Sequence, residues 1–321
     1  MKKIFVISAL ALLATGLWWQ KSNKKNSLPL VGVIQVIEHP ALDQTRKGIF
    51  DELEANGFKD EINFDWQYES AQNNAALATQ IAQKFIGEKA AVLVTIGTNV
   101  SQGCLQAIQQ SGTKIPMVFA SVTDPVLSKL ITSNKTPQPG VTGVSNYISA
   151  KDQFQFFKKL LPHIKTLGIV YNPGEANSAV LIEEMQKTGK ELNIAIAIVT
   201  AAASRTSDVS TATQSLLAKV DAIFINNDNT ALASFDSVVA SARLENIPVF
   251  VSDVDCVSKG ALAALGADQY ALGRQVGKMI VAILKDPNMA NTQTMQYPAV
   301  IQEEVNRKIA ADLKIILPSA E

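Results

Sequence analysis

At 321 residues, with 47% hydrophobic and 18% charged side chains and a formal net charge of zero, the chain can bury a large core and is long enough for more than one domain. Residues 1–26 carry five lysines and no acid, so residues 27–321 hold 24 basic against 29 acidic side chains, a balance without an electrostatic footprint for nucleic acid. With His39 and His163 as the only histidines and Cys104 and Cys256 as the only cysteines, no ligand cluster at zinc spacing exists, neither metal nor other cofactor is expected, and the two thiols read as buried and free.

The N-terminus has the layout of a secretory signal: Lys2 and Lys3, the apolar run Ile4–Leu13, then the small residues Ala14-Thr15-Gly16. Leu17, Trp18 and Trp19 extend the run to about sixteen residues, near the lower limit of a spanning helix, and Lys21, Lys24 and Lys25 follow as at a membrane interface. Residues 1–26 are therefore expected to be a signal peptide or membrane anchor plus linker, with residues 4–19 as the membrane-associated stretch if uncut. The body is then periplasmic or otherwise extracytoplasmic. No cysteine stands near Gly16, so lipidation there is not expected.

From Leu30 short apolar runs alternate with longer amphipathic ones. Leu30–Val36 predicts a buried strand, and Leu42–Asn56 a helix stopped at Gly57. Ile62, Phe64, Trp66 and Tyr68 alternate with the strand period. A helix over 75–86, a strand over 91–96, a helix over 100–110 and a strand over 116–120 follow. The rhythm restarts at the capping box Ser149-Ala150-Lys151-Asp152. Strands are expected at 167–171, 194–199, 222–225 and 249–252, with helices at 178–191, 207–218 and 232–246 between them. The tail predicts strands over 261–265 and 293–297, and helices over 272–284 and 305–313. Such alternation implies α/β lobes with parallel central sheets, and two series of about 100 residues imply two similar lobes.

In open α/β sheets a ligand sits beyond the carboxyl ends of the strands, beside helix N-termini. Those ends carry Gln35, Glu38 and His39; Thr98 and Asn99; Ser121, Thr123 and Asp124; Asn172, Asn177 and Ser178; Asn229; and Ser252-Asp253. Hydroxyls, amides and helix N-termini suit a carboxylate, while Asp253 suits an ammonium group, so an α-amino acid needs both. The same residue types are also preferred helix caps; recurrence at matching ends of both series favours binding. His39 has the chemistry of a general base, yet equally suits a structural or stacking role. No nucleophile elbow, phosphate-cradling glycine loop or dinucleotide fingerprint is present, so the chain is not expected to be an enzyme.

The segments Val33-Ile34-Gln35 with Glu38-His39-Pro40-Ala41-Leu42-Asp43, Ile96-Gly97-Thr98, Ser121-Val122-Thr123-Asp124-Pro125, 168–178, 268–275 and 305–318 together resemble the tryptophan/tyrosine-type substrate-binding proteins of ABC transporters. These are type I periplasmic binding proteins. The resemblance implies two Rossmann-like lobes joined by three interlobe crossovers, here 27–145 with 256–290 and 146–255 with 291–321. It also implies hinge closure on a small molecule, an amino acid and in many members an aromatic one, for an ABC importer permease. Carried over residue by residue, it implies ligand contacts from the strand-end residues above, Ser252 excepted, and from Tyr147 near the first crossover. The carboxylate is expected near Thr98 and Ser121. Asn99-Val100 replaces the alanine or proline common in the family, and the run Asn226–Asn229 is unusually rich in amides. The alternative reading is the extracytoplasmic ligand-sensing domain of a membrane receptor, whose N-terminal segment stays uncut.

Overall fold

The computed structural model describes residues 28–318, so the expected signal or anchor at 1–26 lies outside the described residues. Among these, no helix is long and apolar enough to cross a membrane. The alternating runs become β–α–β units gathered into two sheets. The first contains β1 (Leu30–Gln35), β2 (Asp65–Ser70), β3 (Val92–Ile96), β4 (Met117–Val122) and β5 (Val141–Ser145), all parallel, in the order β2-β1-β3-β4-β5. Strands β1, β3 and β4 are buried along their whole length, which is why they read as unbroken apolar runs: helices cover both faces of a parallel sheet. These helices are α1 (Pro40–Ala55), α2 (Ala75–Gly87) and α3 (Thr98–Ser111).

The second sheet contains β6 (Thr166–Tyr171), β7 (Ala197–Ala202), β8 (Ala222–Ile225), β9 (Val249–Val251), β10 (Ala263–Ala267) and β11 (Ile301–Val305), in the order β11-β10-β9-β8-β6-β7. Only β11 runs antiparallel, against β10. Its helices are α4 (Ala150–Leu160), α5 (Ala176–Glu191), α6 (Val209–Leu217), α7 (Asn229–Ala233) and α8 (Phe235–Leu244). On one face Phe157 stands between Phe224 and Phe250, with ring centroids 5.0 and 4.7 Å away. In each sheet the strand order reverses beside the first strand, between β1 and β3 and between β6 and β8. A crevice opens at the carboxyl ends there.

The chain passes between the lobes after β5, again after β10, and a third time before β11. Past β10 it enters α9 (Gln269–Lys285), which packs on α1 of the first lobe. Gly273 and Gly48 make this approach possible. A Cβ on Gly273 would sit 2.1 Å from the Thr45 carbonyl oxygen, and one on Gly48 2.2 Å from that of Tyr270.

Several expectations shift. The strand expected from Ile62 starts at Asp65; Ile62 is 70% exposed. β5 has no counterpart among the predicted strands, since Val141-Thr-Gly-Val-Ser is short and interrupted by glycine. The strand expected at 293–297 is absent. Gln296 only bridges to β5, through Ser145 N–H to its carbonyl (2.9 Å) and its own N–H to Gly143 (2.9 Å), and the strand forms later as β11. The helix expected at 232–246 is two helices meeting at Ser234. The expected lobe boundary at 256 puts β10 on the wrong side: β10 pairs with β9, so the chain leaves the second sheet only after Ala267. An apolar strand directly after β9 extends the sheet that already shields it.

Candidate functional site

The carboxyl ends of the two sheets enclose a cavity of about 20 Å3. The first lobe's side of its wall has His39, Ala41 and Leu42 after β1, Thr98 after β3, Ser121 at the end of β4, and Gln269 at the start of α9. The second contributes Asn177 on α5, Asn227 and Asn229 after β8, Leu232 on α7, and Ser252 and Asp253 after β9, with Asn146 at the first crossing.

Local geometry fixes these side chains. Gly97 has φ +106°, and a Cβ there would lie 2.6 Å from Val36 Cγ1; a glycine turn sets Thr98 as the first residue of α3. Ser121 has φ +53° where the β4–β5 register slips, the kind of strained backbone that clusters at functional sites. Its hydroxyl donates to Gln269 Oε1 (2.9 Å), as does that of Thr45 (2.9 Å). One amide oxygen thus ties α1, β4 and α9 together at the cavity.

Electrostatically the wall is nearly neutral. Burial drives the His39 imidazole down to about 4, against a weaker upward pull from Asp43, so the ring is neutral at physiological pH. Burial, then repulsion from Asp255, raises the Asp253 carboxyl to about 6; its Oδ1 accepts the Asp255 N–H (3.1 Å). Three buried polar atoms of the wall, His39 Nε2, Asn177 Oδ1 and Ser252 Oγ, have no hydrogen-bond partner among the described residues. Unpaired buried polar atoms cost about 1–3 kcal/mol each, so their convergence on one cavity marks where a polar guest would satisfy them.

Of the sequence-derived candidates, His39, Thr98, Ser121, Asn177, Asn229 and Asp253 meet at this cavity. The others do not line it. Gln35 is spent inside the first lobe, donating to Ile37 O (2.8 Å) and Asp43 (3.1 Å) and accepting from Arg46 (3.2 Å). Glu38 is exposed and accepts from the Tyr68 hydroxyl (3.2 Å). Asn99 is half-buried on α3. Asp124 caps its own turn, accepting from Val126 and Leu127 N–H (both 2.9 Å). Thr123, Asp124 and Tyr147 border a separate groove beside the crossings, where the Tyr147 hydroxyl donates to Glu184 and the ring lies 6.2 Å from that of Tyr297. Asn172 and Ser178 are consumed in the second lobe, Asn172 by Thr230 (2.9 Å) and Gly174 (2.9 Å), Ser178 by Asn226 (3.1 Å). Sequence reasoning missed Asn146, Asn227, Ser252 and Gln269. Ser252 and Asn227 lay in segments already marked as strand ends. Gln269 and Asn146 sit at crossings, which periodicity does not locate.

The two lobes touch directly around the cavity. Asn73 Nδ2 of the first donates to Thr230 Oγ1 of the second (3.1 Å), and Asn227 Nδ2 donates to Thr123 Oγ1 (3.5 Å). Neither thiol is activated: burial raises Cys104 to about 12, and burial and Asp253 raise Cys256 as well. Both are free and buried. The wall offers amides, hydroxyls, a neutral imidazole, one carboxylate and a helix N-terminus, which is equipment for holding a small zwitterion.

Comparison with known proteins agrees with this architecture. The family model described as ABC transporter substrate binding protein matches residues 30–320. A tyrosine-binding protein of Clostridioides difficile is 32% identical over 81% of this chain and 74% of its own length. A Streptococcus pneumonia ABC domain in complex with L-Trp is 31% identical, with a TM-score of 0.83 over 91% of this chain and 97% of that one. The ligand-free, open form of a Clostridium difficile substrate binding protein with adhesive properties is also 31% identical, with a TM-score of 0.69 over 92% and 97%. Solute-binding proteins only 14–16% identical share the fold, that of the type I periplasmic binding proteins.

Proposed function

The chain belongs to the ABC transporter substrate-binding protein family, whose members bind solutes rather than catalyse reactions, and on that premise we propose that it captures an amino acid between its lobes for an ABC importer. The observation that carries this reading is the shared cavity, lined from both lobes by residues with polar atoms that lack partners among the described residues. The ligand carboxylate lies toward Thr98 and the N-terminus of α3, where unpaired backbone N–H groups and the helix dipole favour an anion. The ammonium lies toward Asp253, whose carboxyl regains its ordinary acidity when a cation replaces the water it lost. A tyrosine-binding relative and a relative in complex with L-Trp support an amino acid as the guest. The leucines of the wall, Leu42 and Leu232, are the apolar surface for its side chain.

Binding is coupled to a hinge. At equal identity, the superposition is better on the L-Trp complex than on the ligand-free open form, which supports reading this arrangement as the closed one. The cavity of about 20 Å3 has room for about one water, so a guest enters only when the lobes separate at the three crossings, and by touching both lobes it holds them closed around itself, less tightly than they meet here. Membership of the family supports delivery to a permease outside the cytoplasm, and the permease is the partner we propose.

Thermal-shift screening of the body against the twenty amino acids tests this reading. A true ligand at a hundred times its dissociation constant adds about 2.7 kcal/mol of stability; no shift with any of them removes the proposed ligand class.

A further inference from the structure

Glu175 is completely buried beneath the cavity wall. It precedes α5, and its side chain makes no cap bond to that helix. Instead it reaches across to the start of α7. Oε1 accepts the N–H (3.0 Å) and hydroxyl (2.7 Å) of Thr230; Oε2 accepts the N–H (2.8 Å) and Nδ2 (2.7 Å) of Asn229 and, more weakly, Nδ2 of Asn177 (3.4 Å). Every partner is a donor, the bonding pattern of an acceptor-only carboxylate.

This has a chemical consequence at the cavity. An amide side chain presents either its oxygen or its NH2 to a guest, and its other partners decide which. Glu175 draws the NH2 of Asn229, and with the Asn227 carbonyl (2.6 Å) that of Asn177, away from the cavity. Asn177 Oδ1 is left buried and unpaired among the described residues, and in Asn229 the amide oxygen is turned to the side opposite the NH2 that Glu175 holds. Asn177 and Asn229 line the second lobe's side of the cavity together with Asp253.

We propose that Glu175 is a specificity-determining positioning residue: by turning Asn177 and Asn229, it makes the second lobe's wall a set of acceptors that selects ligands carrying an ammonium group. This rests on the amino-acid reading of the site. A wall of mixed donors and acceptors tolerates an uncharged analogue; a wall of acceptors does not, because losing the ammonium leaves them buried and unpaired.

The experiment compares L-tryptophan with indole-3-propionate and L-tyrosine with 3-(4-hydroxyphenyl)propionate, each pair differing only in the amino group. In the wild-type protein the amino acid binds the tighter of each pair. In Glu175→Gln, whose own NH2 faces the donors of Asn229 or Thr230, that preference falls by about tenfold or more. Weakening of both members of a pair by the same factor overturns the proposal, since a merely structural role predicts it. Asn229→Ala keeps Glu175 in place and is expected to lose the same discrimination. Independently of any ligand, hydrogen exchange of the Asn229 side-chain NH2, which Glu175 holds at 2.7 Å, is expected to be slow in the wild type and fast in Glu175→Gln. Equal exchange rates overturn the proposal even if none of these probes binds, whereas absence of binding with altered exchange counts against the amino-acid reading alone.

Discussion

Asp253 has a carboxyl raised from about 3.8 in the unfolded chain to about 6 in the folded one, chiefly by burial. Between these values the native state holds more protons than the unfolded state, so this group's contribution to stability falls as pH rises from about 4 to about 6 and stays low above that. Asp253→Asn is therefore expected to stabilise the ligand-free protein by about 2–3 kcal/mol at pH 8 and to change little at pH 4, measured by urea denaturation at both values. The same substitution weakens amino-acid binding by at least about tenfold, because an ammonium then faces a neutral amide. A variant more stable yet less able to bind is the signature of a site maintained for function. At this scale the sequence was partly legible. Strand ends are visible as apolar runs stopping at Asn, Ser, Thr or Asp, which locates the loops holding His39, Thr98, Ser121 and Asp253. It cannot say which side of a loop a side chain leaves from: Gln35 and Glu38 stand beside His39 in sequence, yet one bonds back to Arg46 and the other meets Tyr68 at the surface. Glu175 stayed hidden because an acid before a helix reads as a cap, and its closest-bonded partners, Asn229 and Thr230, lie more than fifty residues away.

The α1–α9 contact is the element on which the first lobe's half of the site rests. Thr45 of α1 and Gln269 of α9 bond each other at the cavity end of this crossing, and a little further along Gly273 lies against the Thr45 backbone. Gly273→Ala is expected to cost about 1–3 kcal/mol through overpacking, despite alanine's better helix propensity, and thermal unfolding checks it. Because the helices must part for the added methyl, the Gln269–Ser121 bond is disturbed too, so ligand affinity falls alongside stability. Helix periodicity shows an apolar stripe on α9 but not its partner. The stripe on a helix after β10 equally suits the second lobe, and only the glycine spacing, read in three dimensions, reveals a close crossing with α1.

For the whole molecule, the hydrogen bonds of Asn73 and Asn227 join the lobes through polar side chains, as suits surfaces that must separate. Asn73 is well suited to a test: its φ of +55° is one that glycine accepts freely, so Asn73→Gly removes the side chain without straining the turn. Loss of its bond to Thr230 is expected to speed ligand release about two- to tenfold, the kinetic equivalent of a net hydrogen bond, with unfolding of the ligand-free protein nearly unchanged. Stopped-flow dissociation and thermal melts separate the two effects. The two-lobe α/β design was readable from the alternation alone, because each buried strand must be apolar throughout and each covering helix amphipathic. The paths between lobes were not, since a crossing segment buries little and leaves no period.

Those paths make both lobes discontinuous in sequence: α1 waits for α9, more than two hundred residues later, and β10 waits for β11. A chain emerging from a ribosome or an export channel, amino end first, therefore cannot finish either half early. Both are completed only in the last fifth of synthesis, and a product cut short before residue 301 would leave the second sheet with a raw edge for quality-control proteases or other unfinished chains to seize.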